Sequence, residues 1–385
     1  MPTGKLKIAF VSNTSWSIYN FRIDVIRYLM SKGQEVYVIA PWDNYSSKLI
    51  AEGIHFIPIK LDNYGINPLQ DLRYAWSLFR LYRQYSFHKV YHYTIKPNIY
   101  GAISGYLARI PLSIIVVTGL GKMFLFKSRL SNLVSKWLYT LAASFADEVW
   151  FLNDHDQFKF IQAGILKRST FRILPSEGIN TQRFRPKTKK ESSIIRFLFA
   201  GRLIRPKGIY QYISAAEAIK KSYPHTRFEV LGFIDENNPE SIHYNELIHW
   251  QNKGVINYLG STEDVRPYLQ RADCLVFPSY YQEGLSRILL EAASMATPII
   301  TSQQPGCQEV VVDRISGYLC KDSDVQVLIE KIEKILSISH SDRVVMGQRG
   351  RAHIKSKYDI ELIKSYYSSD NLNQLSTTVT ERLTS

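Results

Sequence analysis

Short apolar runs alternate with stretches of helical periodicity along this chain, and the alternation stops once and then restarts. In the first half, strand-like runs fall at 7–12, 35–40, 55–59, 90–93, 113–118, 148–152 and 170–174. Helical patterns lie between most of them, at 20–32, 68–85, 99–108, 130–145 and 154–163. Apolar strands joined by helices point to a parallel sheet covered on both faces, because parallel neighbours need a crossover connection. Residues 183–193 then turn polar and basic, as an interdomain linker does. Beyond them, strand-like runs resume at 194–200, 227–231, 255–259, 274–277, 298–301 and 317–320. The chain is therefore expected to be α/β, with two doubly wound, Rossmann-like domains over 1–185 and 186–365 and a cleft between them. Residues 366–385 read as a helix end and a frayed tail. A length of 385 residues suits two such cores better than one.

In doubly wound sheets ligands sit outside the carboxyl ends of the strands, so the loops after strands carry the chemistry. The most informative loop follows the run 274–279. Gly284 permits a turn there, and residues 285–295, opening on Leu285 and Ser286, have helical periodicity and strong helix formers. A helix N-terminus just after a buried strand offers free backbone N–H groups and a positive dipole to a diphosphate. Glu283 and Glu291 bracket this start, at most about 12 Å apart along a helix. That span suits holding hydroxyls at both ends of a sugar nucleotide. A helix-start acid favoured by the dipole, plus an ordinary surface glutamate, is the competing account.

A second loop runs from Gly201 to Gly208. Gly201 lets a backbone approach closely, and Arg202 and Lys207 are placed to converge on one diphosphate. The Gly-x4-Gly-Lys-Ser/Thr order of a P-loop is absent. A solvated basic turn is the alternative here.

Loops of the first half carry polar groups suited to contact an acceptor or a donor's leaving group. Ser15, Ser17, Tyr19 and Asn20 follow the first strand, with helix capping by Ser17 or Asn20 as the rival account. Gly119 and Gly121 suggest close approach of a ligand to the backbone, or simply a tight turn. His92 ends a strand, with Lys96 and Asn98 in the loop beyond; a lone histidine is more often structural than catalytic. Asp154-His-Asp156 and Asp322-Ser-Asp324 imitate a metal motif, but each opens a predicted helix where capping and the dipole account for it. No ligand-type spacing is present, so no essential metal is expected, and no cofactor beyond a donor substrate. Cys274, Cys307 and Cys320 show neither paired nor metal spacing, which fits a reducing cytoplasm.

The formal net charge of +14 is unevenly placed: residues 1–190 hold 26 Lys and Arg against 11 Asp and Glu. A basic half points to an anionic partner, either a nucleic acid or a membrane with acidic head groups. The segment 121–139 mixes Lys122, Lys127 and Arg129 with Phe124, Phe126 and Trp137, as an interfacial amphipathic helix does. A core-facing helix with a solvated basic side has the same periodicity. The opening residues show no signal-peptide pattern, and no apolar run approaches the roughly 18 residues of a membrane span. A cytoplasmic protein held at the inner face of the membrane is expected.

Taken together, Gly201-Arg-Leu with Lys207-Gly208, the Glu283-x7-Glu291 pair, Pro278-Ser279 before it and the 306–310 turn after it resemble family 4 glycosyltransferases. The segment 175–184 is similar to that family's linker signature, with Glu177 standing where a small residue or Asn is more usual. The resemblance covers almost the whole chain. It implies a GT-B fold, an acceptor-binding first domain, a second domain that holds the nucleotide sugar, and a final helix crossing back to the first. It implies catalytic roles for Glu283, Arg202 and Lys207, and donor binding by Gly201, Gly284, Leu285, Ser286 and Glu291. The loops 13–22, 93–101 and 118–121 are similar to those of bacterial transferases that extend undecaprenyl-diphosphate-linked sugars. That likeness implies a retaining hexosyltransferase. Its donor is expected to be a UDP-sugar, with N-acetylgalactosamine foremost, and its acceptor a polyprenyl-diphosphate-linked glycan. Family members place a catalytic histidine in the acceptor-side cleft; here Ile95 occupies its position rather than His92.

Two further classes stand beside this one. A GT-B nucleotide-sugar epimerase would share the diphosphate site but needs acid/base carboxylates and turns over donor without acceptor. A nucleic-acid-binding protein would use the basic half, yet no helix-turn-helix, zinc or stacking-platform signature is present, so no nucleic acid is expected as partner.

Overall fold

A computed structural model of the chain describes residues 5–63, 67–119, 129–166, 170–236, 238–281, 284–321 and 324–368, the side chains of 129–132 excepted. The first domain runs β1 (Lys7–Val11), α1 (Ser15–Ser31), β2 (Glu35–Ala40), α2 (Ser46–Ala51), β3 (His55–Pro58), α3 (Pro68–Tyr85) and β4 (Lys89–Tyr93). A π-helical turn (Pro97–Gly101) then leads into α4 (Ala102–Ala108), β5 (Leu112–Val117), α5 (Arg129–Phe145), β6 (Glu148–Phe151), α6 (Asp154–Gln162) and β7 (Thr170–Ile173). The second domain runs β8 (Ile195–Ala200), a 3-10 turn (Arg205–Lys207), α7 (Ile209–Ser222), β9 (Thr226–Leu231), α8 (Tyr244–Asn252), β10 (Asn257–Tyr258), α9 (Arg266–Arg271) and β11 (Cys274–Phe277). It ends with α10 (Arg287–Ser294), β12 (Ile299–Ser302), β13 (Gly317–Cys320), α11 (Val325–Ser337) and α12 (His340–Tyr358), after which comes α13 (Ile360–Ser368).

Among the described residues every pairing between these strands is parallel, in the orders β3-β2-β1-β4-β5-β6-β7 and β10-β9-β8-β11-β12-β13. The central strands are buried because both faces are covered, which is why they read as continuous apolar runs rather than alternating ones. Strand order reverses between β1 and β4 in one sheet and between β8 and β11 in the other, opening a crevice at each switch point. The sequence assignment of two doubly wound domains is what the structure shows.

The chain crosses back at its end. Ile360, Ile363 and Tyr367 of α13 lie in the core of the first domain, not the second. The Tyr367 ring sits 5.0 Å from Tyr91 and 5.2 Å from Trp150, and its hydroxyl is 3.1 Å from that of Tyr93. Burying one such ring contributes roughly 1.5–3 kcal/mol, so the helix is a fastener between the domains. The outgoing linker passes beside it: Ile179 bridges Asp359, and Gly178 lies so close that a Cβ there would be 2.6 Å from Ile360 Cδ1. Arg351 grips this crossing by donating to the carbonyls of Phe184 (2.8 Å) and Thr181 (2.9 Å).

Two helix starts differ from the sequence reading. α1 begins at Ser15 rather than residue 20, because Thr14 accepts a hydrogen bond from the Ser17 amide and caps it. α10 begins at Arg287 with Ser286 as its cap, so Gly284 and Leu285 belong to the loop before it. Among the described residues, no helix is long and apolar enough to cross a membrane.

Candidate active site

The contacts between the domains join loops that follow strands on both sides. Gly119, after β5, abuts Gly284, after β11: a Cβ on Gly284 would lie 2.2 Å from the Thr118 carbonyl oxygen. Asn153, after β6, donates its side-chain amide to the Gly284 carbonyl at 2.7 Å. Tyr45 and Lys48, after β2, reach Glu263 across the mouth of the cleft at 3.3 and 2.8 Å.

The switch point of the second sheet lies against this contact. Gly201 leaves β8 with φ +151, and a Cβ there would press on the Phe277 ring at 3.2 Å. Gly208 has φ +83, and a Cβ there would meet the Pro278 carbonyl oxygen at 2.3 Å, so only glycine fits. The amides of Tyr280 and Tyr281 both donate to the Pro206 carbonyl, at 2.9 and 3.0 Å, tying the two loops together. Lys207 is thereby held between the rings of Phe277 and Tyr281, its ammonium 5.5 and 5.0 Å from their centroids. Burial, with the Arg202 charge adding to it, pulls its amine down to about 7. Arg202 itself is exposed and has no ion pair among the described residues.

Across this crevice, the amides of Gly284 and Leu285 form no hydrogen bond among the described residues, whereas the Ser286 amide donates to the Gly306 carbonyl at 2.8 Å. Glu291, further along α10, pairs with Arg287 at 3.0 Å. Burial pushes its carboxyl up against the opposing pull of Arg287. Arg287 also donates to the Gly178 carbonyl at 2.6 Å, linking this helix to the interdomain linker. Glu283 and Gly121 lie outside the described residues, as do Lys122, Phe124, Phe126 and Lys127. Arg129 opens α5 with its side chain undescribed, and Trp137 of the same helix is exposed.

Three residues expected on the acceptor side are instead built into the first domain. His92 is 0% exposed, with Nε2 3.0 Å from the Tyr82 hydroxyl and Nδ1 3.1 Å from the Ile114 carbonyl. Its ring fills the space left by Gly101, where a Cβ would lie 2.2 Å from Cδ2. Burial pulls it down to about 3, so it stays neutral and packs rather than transferring protons. Asn98 is buried and donates to Val116 and to the Tyr139 hydroxyl, and Lys96 is paired with Asp71 at 2.6 Å.

The first loop divides in the same way. Ser15 is buried against Asp43 and Ser46, and Ser17 against Ser12. Tyr19 and Asn20 stay half-buried beside the cleft mouth, the Tyr19 ring 5.5 Å from Tyr45. Asp154 and Asp156 lie in the first turn of α6, where the dipole favours them, but the cap is Asn153, whose side chain accepts the Asp156 amide at 2.7 Å. Among the described residues, no group of three or more side chains is placed to hold a metal.

Two residues of this region escaped the sequence. Asn153 stands one position before the Asp-x-Asp decoy and makes the contact to Gly284; a cap residue gives no hint of a partner 131 residues away. Thr94, just past β4 at the first switch point, has φ +73, and its buried hydroxyl has no partner among the described residues. Left-handed backbone at a β-branched residue is uncommon and leaves no trace in periodicity. A cavity of about 620 Å³ is lined by Asn153, Leu285, Glu309 and Tyr358 among others.

Residues 180–353 match the family model for glycosyl transferases group 1, and residues 7–153 match the glycosyl transferase 4-like model. The chain is 29% identical to the N,N'-diacetylbacillosaminyl-diphospho-undecaprenol alpha-1,3-N-acetylgalactosaminyltransferase of Campylobacter jejuni, over 86% of this chain and 89% of that one. It is 24% identical to the Staphylococcus aureus capsular polysaccharide glycosyltransferase CapM, over 88% and 90% of the two chains. It is 25% identical to the Escherichia coli UDP-Gal:alpha-D-GlcNAc-diphosphoundecaprenol alpha-1,3-galactosyltransferase, over 76% and 79%. Among solved structures, a Rickettsia africae glycosyltransferase superposes with a TM-score of 0.78 at 17% identity, over 94% of this chain and 97% of that one. Anabaena HepE in complex with UDP and glucose superposes with a TM-score of 0.75 at 17% identity, over 99% and 100%. The fold is GT-B.

Proposed function

The chain belongs to the glycosyltransferases, and on that premise we propose that it moves a hexose or N-acetylhexosamine, N-acetylgalactosamine foremost, from a UDP-sugar to a polyprenyl-diphosphate-linked saccharide in bacterial surface-glycan synthesis. The observation that supports this reading lies at the second switch point, where Lys207, beside the Arg202 charge, is held against Tyr281 of the loop that leads to Gly284 and Leu285. The names of the Campylobacter and Escherichia relatives, both acting on diphospho-undecaprenol glycans, support the acceptor class.

When the bond between the anomeric carbon and the diphosphate oxygen breaks, the electron pair stays on the phosphate. Arg202, Lys207 and the two amides meet that charge as it develops. These cations supply the positive charge at the phosphate, and the reaction is proposed to need no metal. Glu283 orients the sugar hydroxyls beside the cation-like carbon, and Glu291 holds the ribose diol. The acceptor hydroxyl attacks the same face, and its proton passes to the departing phosphate oxygen, so configuration is retained. The basic first domain receives the acceptor's diphosphate, and the protein works at the inner face of the membrane as a peripheral protein.

Titration calorimetry with UDP, GDP and ADP tests the donor half of this reading. UDP is expected to bind the native chain tightly and the Arg202→Ala variant weakly. Equal binding of all three nucleotides, unaffected by that substitution, contradicts it.

A further inference from the structure

An α/β domain ordinarily turns the apolar stripe of each covering helix to the sheet and its polar stripe to water. α3 does the first with Tyr74, Leu78 and Tyr82, which are buried. Its opposite stripe is apolar too. Leu69, Leu72 and Trp76, at i, i+3 and i+7, are 69%, 67% and 60% exposed. Arg80 and Arg83 continue that stripe and Arg73 flanks it, all three exposed. The single acid of α3, Asp71, is buried and engaged by Lys96 and Tyr100.

α5 repeats the arrangement. Leu133 and Trp137 are 63% and 62% exposed, with Val134 and Lys136 exposed beside them. Neither α4 nor α5 contains an acidic residue. The two exposed stripes belong to one face, because the π-helical turn sits between their helices: its Tyr100 bonds Asp71 of α3 at 3.0 Å, and its Asn98 bonds Tyr139 of α5 at 2.9 Å. Tyr106 of α4 stacks on Phe145 of α5 at 4.4 Å, and Ser104 of α4 donates to the Ala75 carbonyl of α3 at 2.8 Å. Helices that return between parallel strands start at the carboxyl edge of the sheet. The starts of α3 and α5 therefore stand on the cleft side of the sheet, with Leu69 and Leu72 of α3 nearer to it than Arg80 and Arg83.

We propose that the α3–α5 face docks on an anionic lipid bilayer, with Leu69, Leu72 and Trp76 entering the headgroup boundary and Arg73, Arg80 and Arg83 resting on acidic headgroups. Exposed apolar side chains gathered on one face mark interaction surfaces. Tryptophan beside leucine, rimmed by arginine with no acid, is the chemistry of an interfacial helix. A second copy of the chain is disfavoured as occupant, since self-pairing would oppose Arg80, Arg83 and Lys136 to their own equivalents. The purpose of the docking rests on the acceptor reading above, for it holds the cleft mouth at the headgroups where a polyprenyl diphosphate emerges; its detection does not.

The test is co-sedimentation of the full chain with vesicles of phosphatidylcholine alone or mixed with phosphatidylglycerol. It uses the native protein, Leu72→Ser/Trp76→Ser and Arg80→Glu/Arg83→Glu, with circular dichroism and sedimentation velocity on each. Native protein is expected on the mixed vesicles and not on pure phosphatidylcholine, and each variant is expected to lose roughly tenfold or more of that binding. UDP release with a water-soluble short-chain acceptor should be equal in all three. Folded variants that sediment with mixed vesicles as the native chain does overturn the proposal. So does a native dimer that Leu72→Ser/Trp76→Ser converts to monomer, which would assign the face to a second copy. Failure of UDP release in every protein, with vesicle binding intact, would count against the transferase reading alone.

Discussion

Arg22 of α1 and Glu177 of the interdomain segment form an ion pair in which the arginine is almost wholly buried. Arg22 also donates to the Ser17 carbonyl at 2.9 Å and lies 4.1 Å over the Tyr93 ring. A glutamate at this place in the linker is therefore a partner for a buried guanidinium at the base of the first loop. Removing it strands that charge. Glu177→Ala is expected to lower the unfolding free energy by about 2–4 kcal/mol, discounted for the partial exposure of the carboxylate. Denaturant unfolding of the single and double variants with Arg22→Met checks this; additive losses would show that the two groups do not couple.

Gly284 has no room for a side chain against Thr118. Gly284→Ala is expected to hold the domains apart while both sheets remain folded. A displacement of that kind costs on the order of 100-fold in turnover. Steady-state UDP release together with a thermal melt decides it: native turnover in the alanine variant would show that the Thr118 contact is not kept during catalysis.

The pH dependence of donor binding should report Lys207. In the free protein its amine is pulled down to about 7. A bound diphosphate favours the ammonium, so binding takes up a proton above that value. Affinity for UDP is expected to be full below about 7 and to fall by up to tenfold per pH unit above it. Calorimetry in buffers of different ionisation enthalpy reads the proton directly. Lys207→Arg, charged throughout, should remove the slope; a slope that persists in that variant assigns the proton elsewhere.

His92 should matter to folding and not to chemistry. Its folded pKa of about 3 against an unfolded value of 6.5 means the unfolded chain takes the proton first. Its contribution to stability is thus complete above 6.5 and drains away as pH falls toward about 3. His92→Ala is expected to cost about 2–4 kcal/mol through the lost packing and hydrogen bonds. Folded protein should keep its kcat. A variant as stable as the native chain but inactive would return His92 to the catalytic set.

Much of the architecture was legible because its cause is local. Buried parallel strands such as 35–40 and 274–277 are continuous apolar runs, and the structure holds them at the positions the pattern assigns. α1 and α10 were displaced at their starts, since capping by Thr14 and the loop at Gly284 and Leu285 depend on single side chains rather than on periodicity. The loop carrying Arg202 and Lys207 was visible as a basic, glycine-bounded turn after a strand. His92, Lys96 and Asn98 read as cleft residues because they follow a strand; only the packing of Tyr82, Asp71 and Tyr139 shows that they support the sheet. Asn153 and Thr94 were silent, since their significance lies in a distant carbonyl and a backbone angle.

The reaction proposed for this chain is transfer from a sugar nucleotide, through the Arg202 and Glu283 site, to a lipid-linked acceptor. Its most direct test is release of UDP from a panel of UDP-sugars, with and without a short-chain polyprenyl-diphosphate-sugar, by the native chain, Arg202→Ala and Glu283→Ala. Release is expected to require the acceptor, to be greatest with UDP-N-acetylgalactosamine, and to fall on the order of 100-fold or more in either variant. Conversion of donor without acceptor, or release untouched by both substitutions, would contradict it.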